Sequence, residues 1–260
     1  KNRIDNYYKT LVPDLKDLTN IYDKKQLLDI AAKNKVPVPK SQYVKHLDEK
    51  ITLKFPIITK GRYGLNFYKK TGKKAFISNN QIEFEDHLIE ITRHFGLNDC
   101  ITQEIIPEDP QHKTVSFTCF AIQGKIKTYW TGVKLREHPL RFGTATYTKS
   151  IDSKPLKKQS ELLIESIAYN GVCEIEYLFD SRTNEYKLIE INPRTWLWVG
   201  LAKSCGIDYA KMMYSFVFEI PYAYPSEYPI DVYWMNHITD FPFSIKGLLK
   251  RKYSLKQILK

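Results

Sequence analysis

The feature that most constrains the fold is a polar turn between two segments of alternating apolar and polar side chains. Residues 171–180 and 186–194 are the alternating segments, and residues 181–185, Ser-Arg-Thr-Asn-Glu, separate them. Such a polar cluster between two alternating runs is typical of a hairpin turn. Because side chains of a strand point to opposite faces in turn, the hairpin gains an apolar face and an acidic face. The predicted apolar face carries Cys173, Ile175, Tyr177, Phe179, Ile189 and Ile191.

The acidic face of this hairpin carries three carboxylates and an amide. With Thr183 at the apex of the turn, Glu176 lies opposite Glu190, and Glu174 lies opposite Asn192. Like charges directly opposite each other destabilise a sheet by up to about 1 kcal/mol. A hard divalent cation would compensate them, since Mg²⁺ takes oxygen ligands from one or two carboxylates together with phosphate and water. The alternative, a solvated face whose acids pair with neighbouring lysines, explains the hairpin equally well by itself.

The remaining sequence alternates short strand-like runs with segments of helical periodicity. At 260 residues the chain exceeds the usual ~100–150 residues of a single domain, so we expect two lobes or one large α/β unit. Gln123-Gly124 between two alternating runs is a favourable two-residue hairpin turn. Helices are predicted over residues 23–34, 85–95, 157–170, 195–205, 209–218 and 244–260. Strands are predicted over residues 55–60, 65–68, 75–77, 100–106, 114–122 and 125–132, and residues 221–242 are predicted to be irregular.

The composition argues against a disordered or a membrane-spanning protein. Hydrophobic residues make up 43% of the chain, which is ample for a buried core. No run approaches the ~18 apolar residues of a membrane span, and the first five residues begin no apolar signal-peptide stretch. We therefore expect a cytoplasmic protein without a membrane partner.

Charge and cysteine content are the next constraints on function. The formal net charge of +11 would suit a polyanionic partner. However, the lysines are scattered singly and their clusters are short, so a solvated lysine-rich surface is favoured over a nucleic-acid-binding face. The four cysteines lie far apart and form no CxxC pair, which predicts buried thiols instead of a zinc site or disulfides.

Residues 190–194, Glu-Ile-Asn-Pro-Arg, preceded by a strand acid, resemble the metal- and phosphate-binding signature of the ATP-grasp superfamily. The metal ligands that this resemblance implies are Glu176, Glu190 and Asn192, holding Mg²⁺, or Mn²⁺ as an alternative, against the phosphates of ATP. The resemblance also assigns Arg194 to the transferred phosphoryl group, where its guanidinium would stabilise developing charge. Glu174 is a candidate for a supporting contact.

Two lysine motifs upstream resemble the nucleotide side of the same superfamily. Asp23-Lys24 before a helix, followed by Val36-Pro37-Val38-Pro39, resembles its opening motif, although Lys35 stands where the superfamily often has glycine. Residues 56–60 resemble the strand that carries a second lysine, here Lys60. The resemblance implies that Lys24 and Lys60 reach the phosphates of ATP.

A glycine-rich loop and a hinge complete the nucleotide side of the resemblance. Residues 61–64, Gly-Arg-Tyr-Gly, lie where the superfamily has a mobile loop that closes over the phosphates, although this loop has only two glycines. Residues 103–107 resemble the hinge whose backbone pairs with adenine. The implied ATP-binding residues are thus Lys24, Lys60, Gly61, Gly64, Gln103, Glu104, Ile106 and, for the ribose hydroxyls, Asp109.

The resemblance implies an ATP-grasp fold of the α+β class, in which two α/β lobes with mostly antiparallel sheets hold ATP between them. We assign residues 1–105 to the N-terminal lobe, and residues 106–260 to the C-terminal lobe with the metal site and a helical extension. Members of the superfamily generally carry an N-terminal α/β domain before the lysine helix. Only residues 1–23 precede that helix, so we expect this domain to be missing or separate.

Two further stretches resemble the carbamoyl-phosphate-synthase-like carboxylate–amine ligases within the superfamily. Residues 134–144 offer Lys134, Arg136 and Arg141 as a clamp for a substrate carboxylate or the γ-phosphate, with solvent-exposed bases as the alternative. Residues 194–198 contain Trp196 and Trp198, which we expect in the core or a pocket wall.

The implied activity is that of a ligase with small-molecule carboxylate and amine substrates. A carboxylate attacks the γ-phosphate of ATP to give an acyl phosphate and ADP, and an amine then attacks to form an amide. Catalysis of the first step is mostly positioning and charge stabilisation, so no Ser/His/Asp triad is required. The alternatives are a nucleotide-binding module without turnover and, less favoured, a nucleic-acid-binding protein.

Overall fold

Two antiparallel sheets and eight helices make up the described part of the protein, which a computed structural model covers at residues 7–107, 114–138 and 143–249. The strands are β1 (Ser41–Gln42), β2 (Ile57–Gly61), β3 (Phe76–Ser78), β4 (Cys100–Glu104), β5 (Val115–Ile122), β6 (Lys125–His138), β7 (Thr144–Ile151), β8 (Gly171–Asp180), β9 (Glu185–Asn192) and β10 (Tyr233–Met235). The helices are α1 (Leu15–Tyr22), α2 (Lys24–Lys33), α3 (Gly64–Thr71), α4 (Gln81–Thr92), α5 (Lys154–Ser166), α6 (Val199–Ser204), α7 (Tyr209–Val217) and α8 (His237–Leu249). This mixture confirms the predicted α+β class.

The smaller sheet has the strand order β1-β4-β2-β3, and the larger sheet has the order β10-β7-β6-β5-β8-β9. All of their described ladders are antiparallel. Helices α1, α2 and α5 bury their apolar side chains against one face of the larger sheet, where Cys173 and Ile175 lie in the same core. Val172 packs with α6 and α7 in a second core. Because neighbouring strand residues point to opposite faces, the acids of β8 lie on the side of the second core.

The two sheets correspond to separate stretches of sequence, but the first lysine helix does not follow this division. Residues 41–104 supply the smaller sheet, and residues 115–235 supply the larger one. Helix α2 precedes both, yet its Leu27 and Ala31 belong to the core of the larger sheet. The assignment of residues 1–105 to one lobe stays a prediction.

The predicted strand over residues 65–68 is wrong, because helix α3 occupies this segment. Phe67 is fully buried and packs edge-to-face on Phe76 and Phe95, at ring-centroid distances of 6.0 and 5.5 Å. Gly72 ends the helix with φ +70°, as a left-handed cap requires. The apolar run over residues 65–68 therefore reflects the single buried ring of Phe67. Gly72, which ends the helix, lies beyond this run.

Several local predictions of the sequence are confirmed, and one is wrong. Gln123 and Gly124 have φ angles of 50° and 75°, as a tight hairpin turn between β5 and β6 requires. All four cysteines are buried and free. Residues 221–242, in contrast, are not wholly irregular, since they contain β10 and the start of α8. Within the three described ranges, no helix is long and apolar enough to cross a membrane.

Trp196 and Trp198 lie in the second core, as the sequence predicted for them, and pack around Trp130 on β6. Gly132 faces these rings, and an added Cβ there would lie 2.7 Å from Cζ3 of Trp198 and closer still to Trp130. The close approach of the indole rings thus needs a glycine on β6.

We expect Gly132→Ala to lower the free energy of unfolding by about 1–3 kcal/mol, because the added methyl group overpacks the indole cluster. Gly200→Ala is the matched control on α6, since an added Cβ there meets no atom within 4 Å. It should be neutral or stabilise by up to about 1 kcal/mol. Urea unfolding measures both variants, and equal stability of the two would contradict this packing.

Candidate active site

The hairpin β8–β9 has the register that its alternation predicts. Glu174 pairs with Asn192, and Glu176 pairs with Glu190. A bulge follows Glu176, so that Tyr177 pairs with Leu188. Leu188 is therefore the fully buried core residue of β9, and the predicted place of Ile189 on the core face is wrong. The bulge leaves the acidic end of the hairpin in the predicted arrangement.

The side-chain amide of Asn192 brings the three carboxylates of this face together. Its Nδ2 lies 3.2 Å from Oε2 of Glu174, 3.5 Å from Oε1 of Glu176 and 3.5 Å from Oε1 of Glu190. Ser116 on β5 donates a further hydrogen bond of 2.8 Å to Oε1 of Glu174. The acids and the amide thus form one compact cluster of oxygen and nitrogen atoms.

Two lysines from separate elements pair with this cluster. Lys24, the first residue of α2, lies with its Nζ 3.3 Å from Oε2 of Glu190. Lys134 on β6 lies with its Nζ 2.8 Å from Oε1 of Glu176, and its side chain is only 8% exposed. The sequence left a metal site and lysine-paired acids as alternatives. The structure shows acids paired with lysines, and these lysines are the ones that the phosphate and clamp motifs had singled out.

The electrostatics of the cluster show how closely the charges are coupled. Burial, followed by the charge of Glu176, raises the pKa of Glu174 to about 7. Burial would also raise the pKa of Glu190, but Lys24, Lys60 and Lys134 outweigh it and lower that pKa. Burial and the neighbouring Lys24 lower the pKa of Lys60 to about 7.

Lys134 shows the opposite balance. Burial would lower the pKa of its ammonium, but the charges of Glu176 and Glu174 more than offset this and raise it. The site therefore brings three lysines against three acids, of which Glu174 has a raised and Glu190 a lowered pKa.

Asp23 and Arg62, which sequence reasoning did not select, lock the first lysine to the glycine loop. Asp23 is fully buried and accepts hydrogen bonds from the backbone N–H groups of Lys25 and Gln26, capping α2. Arg62 donates from Nε to Oδ1 of Asp23 at 2.9 Å and from Nη2 to Oδ2. The backbone N–H of Lys24 also donates to the carbonyl of Arg62 at 3.2 Å. An aspartate directly before a helix was the available sequence signal.

The predicted glycine loop is a tight connection from strand to helix. Gly61 ends β2, where an added Cβ would lie 2.8 Å from Cγ of Phe67 and closer to its Cβ. Gly64 begins α3, and an added Cβ there would lie 3.9 Å from Nζ of Lys24. The two glycines and the first lysine are therefore neighbours, as the motif order implied.

The predicted hinge contacts the hairpin β8–β9 through a side chain. The carboxylate of Glu104, at the end of β4, accepts hydrogen bonds from the backbone N–H of Lys40 at 2.9 Å, from Nζ of Lys187 at 3.0 Å and from Nη2 of Arg182 at 2.8 Å. Gln103 is buried and donates to Oγ of Ser41 at 2.9 Å, and Ile106 is also buried. The adenine contacts assigned to these three residues stay predictions.

The remaining predicted site residues fall into three groups. Arg194 is exposed and donates to the carbonyl of Thr195 at 2.9 Å and to Oδ1 of Asn192 at 3.4 Å, beside the acid cluster. Arg136 instead donates to Asp240 on α8, from Nε at 2.9 Å and from Nη2 at 2.6 Å, in a buried ion pair. Asp109 and Arg141 lie outside the described residues.

The oxygen atoms of the cluster fit a Mg²⁺ ion that protein and phosphate groups would bind together. Across residues 7–107, 114–138 and 143–249, no group of three or more His, Cys, Asp or Glu side chains is arranged to hold a metal ion. Glu176, Glu190 and the amide oxygen of Asn192 offer two carboxylates and one carbonyl oxygen. This is the small protein contribution that Mg²⁺ needs when phosphate and water complete its shell.

Comparison with known proteins identifies the fold. Residues 145–217 match the family described as the carbamoyl-phosphate synthase L chain, ATP binding domain. The biotin carboxylase domain of 2-oxoglutarate carboxylase from Hydrogenobacter thermophilus, solved with ADP, its magnesium salt and bicarbonate, superposes with a TM-score of 0.67 at 15% identity, covering 89% of this chain and 53% of that chain. This chain has the ATP-grasp fold.

Two curated relatives are named as a ligase and a synthase. The D-aspartate ligase of Enterococcus faecium is 23% identical over 206 residues, which cover 75% of this chain and 49% of the ligase. The carbamoyl phosphate synthase large chain of Methanobrevibacter smithii is 24% identical over 219 residues, covering 78% of this chain and 20% of the synthase. The chain thus spans about half the length of the first relative and a fifth of the second.

Proposed function

We propose that this chain binds ATP with Mg²⁺ and activates a small-molecule carboxylate, which an amine then converts to an amide. The observation that carries the proposal is the contact between Lys24, from the phosphate motif, and Glu190, from the metal motif, which lie 166 residues apart in sequence. A ligase and a synthase among the relatives support the same chemistry.

In the proposed reaction, a carboxylate oxygen attacks the γ-phosphorus of ATP, and the bond between that phosphorus and the oxygen bridging to the β-phosphate breaks to release ADP. The amine nitrogen then attacks the acyl carbon, loses a proton, and expels inorganic phosphate. Mg²⁺, or Mn²⁺ on the same oxygen ligands, would neutralise phosphate charge when bound. Because the reaction consumes ATP, we place it in the cytoplasm.

The roles proposed for the protein groups follow from their positions. Lys24 and Lys60 attract the phosphates, and Arg194, next to Asn192, stabilises the charge of the transferred phosphoryl group. Lys134 is buried against the acids and orients the substrate carboxylate or γ-phosphate. Arg136 would have to exchange Asp240 for a substrate to act as a clamp. The metal ligands are Glu176, Glu190 and Asn192; Gly61 and Gly64 adjoin the phosphates; and Gln103, Glu104 and Ile106 adjoin adenine.

The proposal predicts that ATP raises the melting temperature of the protein substantially more with Mg²⁺ than without it. A thermal-shift titration measures this difference, and no metal-dependent stabilisation would sink the proposal. Amine-dependent ADP release, in a panel of carboxylates and amines, is expected in addition. Stabilisation by Mg·ATP without any ADP release would favour the nucleotide-binding module instead. Salt-sensitive binding of duplex DNA that persists in the Glu190→Ala variant would favour the nucleic-acid alternative.

A further inference from the structure

Helix α8 is attached to the larger sheet by its polar side. Its Asp240 accepts hydrogen bonds from Arg136 on β6 and from Oγ1 of Thr146 on β7, the latter at 2.8 Å. Ser244, one turn later, donates to Oδ2 of Asp240 at 3.2 Å. The buried residues of the helix are Asp240, Ser244 and Gly247. An ion pair and small side chains thus hold the helix in place.

Five apolar side chains of α8 face away from the protein. Exposed fractions are 87% for Ile238, 67% for Phe241, 43% for Ile245, 36% for Leu248 and 80% for Leu249. Their spacing of three, four, three and one residues places them on one stripe of the helix. A surface helix of a globular protein normally turns such a stripe to the core. The orientation of α8 is therefore inverted, and its apolar stripe needs an occupant outside the described fold.

Positive charge lies beside this stripe and follows it in the sequence. Lys246 lies on α8 and is exposed beside the apolar residues. From residue 241 to residue 260 the sequence contains six Lys or Arg residues and no Asp or Glu. Apolar side chains with cations near them in sequence are typical of a helix that lies on an anionic lipid surface.

The charge also decides between the occupants. A second copy of this chain, paired by two-fold symmetry, would bring the same cations against each other. The whole chain has 40 Lys or Arg residues against 29 Asp or Glu, so a second copy adds another net charge of +11. We propose that the exposed stripe of α8 docks on a membrane surface that carries anionic lipid headgroups. The sequence expectation of no membrane partner rested on the lack of a spanning segment, which surface docking does not require.

Docking through α8 would place the proposed active site close to the lipid surface. Arg136, which holds Asp240 of α8, lies on the same strand as Lys134, which pairs with Glu176. Substrates presented at a membrane would then have a short path to the acid cluster. The docking itself goes beyond the proposed ATP chemistry and does not depend on it.

The proposal is tested by co-sedimentation of the 260-residue chain with phosphatidylcholine vesicles that contain or lack phosphatidylglycerol. We expect binding to the anionic vesicles only, weakened by salt because headgroup attraction is screened. The double variant Phe241→Ser, Ile245→Ser should lose about tenfold or more in partitioning, since it removes two apolar side chains from the stripe. Lys246→Glu should lose about tenfold at low salt.

Matched controls separate the stripe from exposed residues in general. Leu65→Ser with Ile82→Ser removes two side chains that are 66% and 73% exposed on α3 and α4, and should leave vesicle binding unchanged. Lys158→Glu on α5, likewise exposed, should weaken binding less than Lys246→Glu. All of these positions are exposed, so an unchanged melting temperature verifies that each variant folds.

Three outcomes would overturn the proposal. Equal binding to both kinds of vesicle, or binding to neither, would show that the stripe of α8 does not dock on anionic lipid headgroups. Concentration-dependent dimerisation that Phe241→Ser abolishes, without vesicle binding by the wild type, would assign the stripe to a second copy of the chain. Loss of binding in the Leu65, Ile82 control to the same extent as in the stripe variant would equally exclude a specific role for α8.

Discussion

In the Glu190→Gln variant, we expect ATP to raise the melting temperature by the same amount with and without Mg²⁺. The variant keeps the shape of the side chain but removes the charge that both Lys24 and the proposed metal would face. In the wild type, Mg²⁺-dependent binding at about 100 times Kd adds about 2.7 kcal/mol, which corresponds to about 5–10 °C in Tm. The variant should lose most of this increment.

Binding of metal-free ATP provides a second signature with the opposite sign. Glu190 offsets the charges of Lys24 and Lys60 in the wild type. Without it, these cations are free for the phosphates, so metal-free ATP should bind the variant as tightly as the wild type or more tightly. A variant that merely failed to fold would lose both kinds of stabilisation.

ADP release should fall by about 100-fold or more in the same variant, as expected for the loss of one group that stabilises phosphoryl charge. Glu185→Gln is the matched control, because Glu185 lies on the same strand but is exposed at the turn end of the hairpin. It should leave both ADP release and the metal-dependent shift unchanged. If Glu190→Gln kept the full Mg²⁺-dependent rise in melting temperature, Glu190 would not be a metal ligand.

The acid cluster could be predicted because alternation and turn position determine it locally. A one-residue shift in register would have moved every acid of β8 to the core face. The observed pairs of Glu174 with Asn192 and of Glu176 with Glu190 keep the predicted register. The motif order then predicted that Lys24 would be near Glu190, although no local pattern connects α2 with β9.

The side-chain partners of several predicted residues could not be predicted from the sequence, because these partners lie far away along the chain. Arg136 was expected at a substrate, and its partner Asp240 lies 104 residues later on a helix whose start was predicted as irregular. The Ile189 error has a similar cause, since a bulge inserts one residue without a distinct sequence signal. In both cases tertiary packing determines what the local sequence pattern does not: the partner of Arg136 and the face on which Ile189 lies.

At the predicted hinge, the side chain of Glu104 has partners that its motif did not suggest. Glu104 was selected for its place before the adenine region, where the backbone was expected to act. Its carboxylate also receives Lys187 and Arg182, and both of these contact Asp180 of β8. These four charges connect the end of the smaller sheet to the hairpin that carries the acid cluster. This network joins the predicted hinge to the hairpin that carries the proposed metal ligands.

The second large effect is expected for Asp23→Ala, which should lower the free energy of unfolding by about 3 kcal/mol. The variant leaves the guanidinium of Arg62 without its buried partner, and it removes the cap of α2. Asp208→Ala is the matched control, since Asp208 caps α7 through Lys211 but is partly exposed, with Lys203 at 3.4 Å. Loss of that cap should cost only about 1 kcal/mol.

The pH dependence of this effect follows from the direction of the pKa shift. Burial alone would raise the pKa of Asp23, but the hydrogen bonds and charge of Arg62 together with two backbone N–H groups lower it. A carboxyl whose pKa is lower in the folded state stabilises the protein above its unfolded pKa of about 3.9. That contribution is lost as the pH falls through the folded value. Wild type and Asp23→Ala should therefore approach each other in stability as the pH falls below the unfolded pKa of about 3.9.

Asp23→Asn separates the cap from the ion pair. An amide oxygen can still accept from Lys25 N–H, so the cap survives, whereas the charge that holds Arg62 is gone. Since Arg62 fixes the segment between Gly61 and Gly64, both Asp23 variants should also bind Mg·ATP about tenfold more weakly, while Asp208→Ala binds normally. Chemical unfolding and nucleotide titration measure the two effects. If Asp23→Asn matched the wild type in both, the link between Asp23 and Arg62 would be dispensable, and Lys24 would be positioned by α2 alone.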